Sequence, residues 1–288
     1  MKERLICILK DFDLINKNQE RVFEYRELEG ITNRSYLTDL GRKKYVVRIP
    51  GINPDIINRE SELKNHLLAN GLEITLPFIY FDKKTGIKIS EYIPELRSFA
   101  AEDFNNSELR KKAFSKLSRL HSSKLIFRDN FSPMNAFLEL VENADEFEEI
   151  AREVGGSIVK DIRELGINSQ PCHQDLYSDN FVLVKDDVYL IDWEYSSQGD
   201  AFFDYSDLFM QNKFSDSMKK VAYDELGIDS NKENLLKGSL FEMLSYLTWG
   251  LWAVNKSKID NDVNKEEYFA AGKDRVEEAI SQYENKFF

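Results

Sequence analysis

The pattern of apolar and polar residues changes about a third of the way along the chain. After a short N-terminal helix, runs of alternating and β-branched residues bounded by turn formers predict strands at 22–28, 34–38, 44–49, 77–81 and 87–93. One further helix is expected at 55–70, where apolar residues recur at helical spacing before Gly71. The first part of the chain is therefore predicted to form a mixed sheet with one helix.

Beyond Pro94 the pattern is mostly helical. Helical spacing covers 107–122, 144–155 and 157–165 and returns after 193, while short strands are predicted between 171 and 193. We therefore expect an α+β fold with two lobes. The small β-rich N-terminal lobe would comprise residues 1–93, and the larger, mostly helical C-terminal lobe residues 94–288. A cleft between two such lobes is a common place for a small ligand to bind.

Composition and charge narrow the class of protein. The chain has 288 residues, of which 42% are hydrophobic and 31% charged, as in an ordered globular protein. Its 51 acidic and 39 basic residues give a net charge of −12, which disfavours nucleic acid as a partner. The two cysteines lack metal-ligand spacing, so neither a zinc site nor a disulfide framework is expected. Because no signal peptide or run of about 18 apolar residues is present, we expect a cytoplasmic protein without a membrane partner.

The densest polar cluster spans residues 173–180 and is followed by a second one at 189–195. Phosphoryl transfer needs a base for the attacking hydroxyl and oxygen ligands that hold magnesium against the phosphates. Asp175 suits the first task, and Asn180 and Asp192 suit the second, because the interval from Asp175 to Asn180 is that of a kinase catalytic loop and Asp192 follows one hairpin later. Any one of the three alone would predict only a turn.

These two segments resemble the choline and ethanolamine kinase branch of the aminoglycoside-phosphotransferase-like kinases, and in particular a bacterial-type choline kinase. The resemblance implies a protein-kinase-like fold, with ATP and Mg2+ as cofactors and choline phosphorylated to phosphocholine. Ethanolamine, thiamine or an aminoglycoside are alternative substrates for the same fold. A kinase-fold protein that binds without catalysis is an alternative of a different class, but it predicts loss of catalytic positions that are filled here.

The resemblance also assigns residues to the nucleotide site: Arg48, Glu60, Gly30, Thr32, Asn33, Glu91 and Tyr92. Arg48 would bind phosphate oxygens through its fixed guanidinium, with Glu60 holding it in place. Glu60 equally fits an ordinary solvated helix charge. Residues 30–33 would cover the phosphates with backbone amides, although a hairpin turn needs no such function. Backbone groups at 91–92 would receive the adenine between the lobes.

The substrate prediction depends on Trp249 and Trp252, which resemble tryptophans that wall the amine pocket of choline and ethanolamine kinases. Three residues apart, they share one helix face. A quaternary ammonium cannot donate an N–H hydrogen bond, so its binding relies on aromatic faces and a nearby carboxylate. Such a pair is also typical of core packing. Glu194 and Asp175 complete the predicted substrate site.

The histidines are not expected to take part in the chemistry. In this family His173, two residues before the base, is predicted to order the catalytic loop, and Asp204 to support it. His121 is expected to be a packing residue of a long helix. His66 is expected to be an ordinary helix residue.

Overall fold

The computed structural model describes residues 1–28, 33–51, 57–129, 131–142, 146–261 and 263–287. In its first part, two helices precede an antiparallel sheet with the strand order β1-β2-β3-β5-β4. The elements are α1 (Lys2–Asp11), α2 (Lys17–Arg21), β1 (Glu24–Leu28), β2 (Asn33–Asp39), β3 (Lys44–Pro50), α3 (Arg59–Gly71), β4 (Tyr80–Phe81) and β5 (Lys88–Glu91).

The period of two along β3 gives its two faces different roles. Tyr45, Val47 and Ile49 are buried in a core that includes Leu5 of α1. Arg48 points to the opposite face, where α3 covers it, and it lies beside Lys88 of β5 in the strand register. The strand pattern therefore directs one cation away from the apolar core and toward the rest of the molecule.

The second part is larger and mostly helical. Its elements are β6 (Arg97–Ser98), α4 (Ser107–His121), α5 (Pro133–Leu140), α6 (Glu146–Leu165), β7 (Gln170–Cys172), β8 (Phe181–Val184), β9 (Asp187–Leu190), β10 (Ser197–Gly199), α7 (Ala201–Gln211), α8 (Asp216–Glu225), α9 (Lys232–Ile259) and α10 (Lys265–Phe287). Strands β6, β8 and β9 form one small sheet, and β7 pairs with β10. A small antiparallel sheet followed by a larger helical part confirms the predicted α+β fold. In the described ranges, no helix combines the length and apolar content needed to cross a membrane.

Two helix predictions were wrong in their limits. The helices expected at 144–155 and 157–165 are one continuous helix, α6. The helix continues through Gly155. A Cβ at this position would come within 2.1 Å of the Phe137 ring, so the glycine permits close packing against α5. Helix α3 begins only at Arg59, where the Asn58 side chain accepts hydrogen bonds from two backbone N–H groups and caps the first turn.

The predicted strand at 77–81 is also shorter than expected, since only Tyr80–Phe81 pairs with β5. By contrast, the strands predicted at 22–28, 34–38 and 44–49 differ from β1, β2 and β3 by no more than two residues at each end.

Helices α9 and α10 pack at unusually short distance beside the site described below. A Cβ on Gly272 would lie 2.6 Å from the carbonyl oxygen of Gly250, so both positions require glycine for the backbones to approach this closely. Gly250 immediately follows Trp249. The close contact therefore fixes the position of α9 relative to α10, and with it the position of the tryptophans on α9.

Candidate active site

The three catalytic residues predicted from spacing come together in the fold. Asn180 ends a short 3₁₀ helix and donates from Nδ2 to both the backbone oxygen and Oδ2 of Asp175, each at 2.9 Å. The backbone N–H of Ile191 donates to the Asn180 carbonyl at 2.9 Å, which brings Asp192 to the same place. Strand ends and one backbone hydrogen bond thus position all three side chains.

The backbone around this cluster adopts uncommon conformations. Gln174 has φ of 67° and Asp192 has φ of 62°, both in the left-handed region that non-glycine residues rarely occupy. Asp204 stabilises the backbone conformation at Gln174, because its carboxylate accepts hydrogen bonds from the N–H groups of His173 and Gln174 at 2.9 and 2.7 Å. Strain held in place by the surrounding structure is typical of functional loops.

The histidines have defined partners. His173 bonds through Nε2 to the Ile191 carbonyl at 2.9 Å, which joins the loop to the following strand, as predicted for a loop-ordering residue. His121 was expected only to pack, but it also hydrogen-bonds to Asp204 at 2.8 Å and to the Tyr205 hydroxyl at 2.9 Å. Its position therefore supports the same loop through Asp204.

The predicted partner of Arg48 was wrong. Glu60 lies on the exposed side of α3, with 59% of its side chain exposed, and pairs with Arg128 at 3.2 Å. Glu62 instead contacts Arg48 Nη2 and is itself only 1% exposed. In α3, Glu60 and Glu62 are two residues apart and so point to different faces, and only the second face is turned toward β3.

The remaining hydrogen bonds of Arg48 reach the metal-ligand candidate. Arg48 Nη1 contacts Asp192 Oδ1 at 2.6 Å, and Nη2 contacts the Gly86 carbonyl at 3.3 Å. Arg59 continues the network, because its Nη1 lies 2.6 Å from Glu62 and 3.1 Å from Glu194. The guanidinium groups and carboxylates form one chain of ion pairs that joins β3 and α3 to the segment after β9.

The turn predicted to cover the phosphates lies only partly within the described residues. Gly30 and Thr32 lie outside the described residues. Asn33, at the start of β2, donates from Nδ2 to Asp192 Oδ2 at 3.2 Å and to Glu194 Oε2 at 3.0 Å. The structure thus brings Asn33 to the catalytic cluster.

The predicted linker between the lobes follows β5 directly. Glu91 is the last residue of that strand and pairs with Tyr45. The N–H of Tyr92 donates to the Lys44 carbonyl at 3.1 Å, so this backbone group is already used within the sheet.

Charges in the cleft shift the ionisation of both acids. Burial raises the pKa of Asp175, and the neighbouring carboxylates of Asp207 and Asp192 raise it further. Burial acts in the same direction on Asp192, but the positive charges of Arg48 and Lys88 outweigh it and the net pKa is lowered. Asp175 is therefore more basic than an ordinary aspartate, as a proton acceptor requires, whereas Asp192 stays ionised, as a metal ligand requires.

The donor set fits a magnesium ion. Because Nδ2 of Asn180 faces Asp175, its Oδ1 remains as the atom that can bind a cation. Asp192 adds carboxylate oxygens, and 23% of its side chain is exposed. Carboxylate and amide oxygens are the ligands that Mg²⁺ prefers.

Beside this cluster lies a cavity of about 270 Å³ with aromatic walls. Its lining includes Phe131, Tyr195, Trp249, Trp252 and one carboxylate, Glu139. The Phe131 and Trp249 rings are stacked with centroids 5.7 Å apart, and Tyr195 meets Trp249 edge to face at 5.3 Å. The two tryptophans predicted from the sequence therefore share one pocket.

Glu194 does not line this cavity, contrary to its predicted place in the substrate site. Glu194 instead contacts Arg59 at 3.1 Å and Asn33 at 3.0 Å. The next residue, Tyr195, takes the position in the pocket wall. Glu194 and Tyr195 are the central residues of a turn closed by the Ser196 N–H to the Trp193 carbonyl at 3.1 Å, and the sequence motif gave no indication of which of the two faces the pocket.

Several residues of the site were not identified from the sequence: Glu62, Glu139, Phe131, Tyr195 and Asp207. For Tyr195 a signal was available, since it belongs to the motif that contains Asp192. Asp207 lies one helical turn after Asp204 on α7, where both would face the catalytic loop. Phe131 and Glu139 come from a region without a motif, and only the fold brings them to α9.

Sequence and structure are both similar to known phosphotransferases. Residues 24–223 match the phosphotransferase enzyme family, abbreviated APH. Protein LicA from Haemophilus influenzae is 31% identical over 190 residues, which are 62% of this chain but only 56% of that protein. The chain thus spans little more than half the length of this relative.

Solved structures match over nearly the whole chain. The crystal structure of choline kinase LicA from Streptococcus pneumoniae has a TM-score of 0.83 and 25% identity, covering 99% of this chain and 100% of that one. A structure of LicA in complex with AMP has a TM-score of 0.80 and 25% identity and covers 97% of both chains. This agreement extends the confirmation of the fold from single elements to the complete architecture.

Proposed function

The chain belongs to the phosphotransferase enzyme family, as its motifs predicted, and on that premise we propose that it transfers the terminal phosphate of ATP to the hydroxyl of choline. One observation carries the choice of substrate. An aromatic pocket with a single carboxylate, Glu139, lies beside the cluster of Asp175, Asn180 and Asp192. The similarity to the choline kinase LicA from Streptococcus pneumoniae supports the same choice.

In the proposed complex ATP lies between a nucleotide-binding lobe, residues 1–93, and a catalytic lobe, residues 94–288. Arg48 contacts the phosphates, and Glu62, which is itself paired with Arg59, holds it through a buried ion pair. The turn at 30–33 covers the phosphates, and the backbone groups at 91–92 other than the Tyr92 N–H, which is bonded within the sheet, receive the adenine. A structure of a LicA protein with AMP supports a nucleotide site in this fold.

Asp175 receives the proton of the substrate hydroxyl while the oxygen attacks the terminal phosphorus in line, and the bond from that phosphorus to the oxygen of the leaving ADP breaks. The raised pKa of Asp175 supports this role, because a more basic carboxylate is a better proton acceptor. Asn180 holds the carboxylate in position by its 2.9 Å hydrogen bond. Asn180 Oδ1 and Asp192 would hold magnesium, which supplies charge neutralisation of the phosphates when bound.

The pocket supports a quaternary amine over the alternative acceptors. Its walls offer aromatic faces, which attract a trimethylammonium group by about 0.5–2 kcal/mol per ring. An aminoglycoside carries many hydroxyl and amino groups that these walls would leave without hydrogen-bond partners. Glu139 favours ethanolamine as the second candidate, because a primary ammonium could donate to its carboxylate.

The test is magnesium-dependent release of ADP from ATP with choline, ethanolamine, thiamine and kanamycin in parallel. We expect the highest kcat/KM with choline and no turnover by Asp175→Ala. If only ethanolamine stimulates ADP release, ethanolamine is the substrate and choline is not. If none of the four acceptors stimulates ADP release in the wild type, the choline assignment is refuted, and a kinase fold that binds without catalysis becomes the better explanation.

A cytoplasmic location and the absence of a nucleic-acid partner remain predictions from the sequence. Fractionation of cells that express a tagged chain, and a gel-shift assay with DNA and RNA, would test them.

A further inference from the structure

Asp207 is a fully buried carboxylate of α7 that contacts both the catalytic loop and the wall of the aromatic pocket. Its Oδ2 accepts the backbone N–H of Leu176 at 2.8 Å, and its Oδ1 accepts the indole N–H of Trp249 at 2.8 Å. The phosphoryl-transfer steps proposed above do not use it. A buried carboxylate is costly unless it is well bonded, so its presence at this junction calls for an explanation.

On the loop side, Asp207 fixes the residue that directly follows the base. Leu176 donates its N–H to Asp207, and its carbonyl accepts from Asn212 Nδ2 at 2.9 Å. Both backbone polar groups of Leu176 are therefore held by the end of α7. Because Asp175 is joined to Leu176 by one peptide bond, these contacts limit how far its carboxylate can move.

On the pocket side, Asp207 sets the orientation of one wall. The same oxygen that accepts from Trp249 also accepts from the Ser245 hydroxyl at 2.7 Å, one turn earlier on α9. The bound indole stacks on Phe131 with an angle of 13° between the rings. Turning the indole would break its N–H hydrogen bond in a dry environment, where such bonds are strongest.

We propose that Asp207 is a positioning residue that ties the orientation of Trp249 in the amine pocket to the position of Asp175. The inference rests on the proposed function, because the pocket is assigned there to the acceptor. One oxygen of Asp207 is bonded to Leu176 and the other to Trp249. Because both hydrogen bonds are charge-assisted and directional, a displacement of one partner is transmitted to the other.

Trp252 provides a matched control for Trp249. Both indoles line the same cavity, but Nε1 of Trp252 is buried without a hydrogen-bond partner in the part of the chain that the structure describes. Trp249→Phe and Trp252→Phe each keep an aromatic ring, and only the first removes a contact with Asp207. We expect Trp249→Phe to lower kcat about tenfold, the effect of one lost charge-assisted hydrogen bond, and Trp252→Phe to change KM alone. Equal effects of the two variants on kcat would overturn the inference.

Asp207→Asn tests the carboxylate itself. The amide has one acceptor oxygen, so either Leu176 or Trp249 must lose its acceptor, and kcat/KM should fall about tenfold. In a Trp249→Phe background the amide oxygen is free to face Leu176, so the double variant should retain a higher kcat than the product of the single effects predicts. Strict multiplication of the two effects would contradict the coupling.

A readout without acceptor separates this inference from the proposed function. The ¹⁵N–¹H resonance of the Leu176 amide should shift in Trp249→Phe and stay in place in Trp252→Phe. ADP affinity, measured for each variant, confirms that the fold is intact. If choline is not phosphorylated but the resonance shifts as expected, the proposed function is refuted and the coupling stands. If the resonance is the same in both variants, the coupling is refuted whatever the substrate.

Discussion

Replacing Glu62 by Gln removes the carboxylate shared by two buried arginines. Glu62 contacts Arg48 through one oxygen and Arg59 through the other at 2.6 Å, and only 1% of its side chain is exposed. Gln keeps the shape and one acceptor oxygen but carries no charge. Arg48 and Arg59 would then be left with less negative charge around them in a site that water does not reach.

The expected loss in stability follows from that burial. Removing one partner of a buried ion pair costs about 3–5 kcal/mol, and we take the lower end, about 3 kcal/mol, because Gln retains one acceptor. The neighbouring residue Glu60 is the matched control. Its pair with Arg128 is exposed on both sides, so Glu60→Gln should cost less than about 0.5 kcal/mol.

Urea unfolding of the wild type and both variants measures this difference. For a domain of this size the slope is about 3 kcal/mol per molar urea, so Glu62→Gln should lower the midpoint by about 1 M and Glu60→Gln by less than about 0.2 M. The KM for ATP should rise only in Glu62→Gln, because Arg48 is no longer held. A larger loss for Glu60→Gln than for Glu62→Gln would refute the assignment of the Arg48 partner.

Three further predictions concern the base, the pocket and a buried histidine. Asp175→Asn should lower kcat by about 10²–10⁴ without changing ADP affinity, as measured by coupled assay and calorimetry. Trp252→Leu should raise the KM for choline by up to about 30-fold and leave the KM for ATP unchanged, since a cation–π contact is worth about 0.5–2 kcal/mol. Burial lowers the pKa of His66 to about 3, so the unfolded chain takes up the proton first as pH falls below about 6.5. Between pH 6.5 and 5 the wild type should therefore lose about 2 kcal/mol more stability than His66→Gln, as urea titrations at both pH values would show.

The secondary-structure elements and the catalytic cluster could be predicted from local sequence patterns. Strand and helix periodicity depends on neighbouring residues, so the order of β1 to β5 and the helical second part could be predicted. Asp175, Asn180 and Asp192 lie within one loop and one hairpin, where chain geometry limits the distances between them. The tryptophans of α9 were found through the resemblance to choline and ethanolamine kinases, and their spacing of three residues on a helix adds that they share a face.

Which side chains meet across elements depends on how the elements pack, and local sequence patterns did not predict it. The choice between Glu60 and Glu62 depends on how α3 is rotated against β3, and the choice between Glu194 and Tyr195 on which side of the chain faces the pocket. Likewise, two separate helices were expected around Gly155, but α6 is continuous there and the glycine packs closely against Phe137 of α5. These outcomes depend on the packing of elements far apart in the chain, and the pattern along any one segment carries no information about its partner.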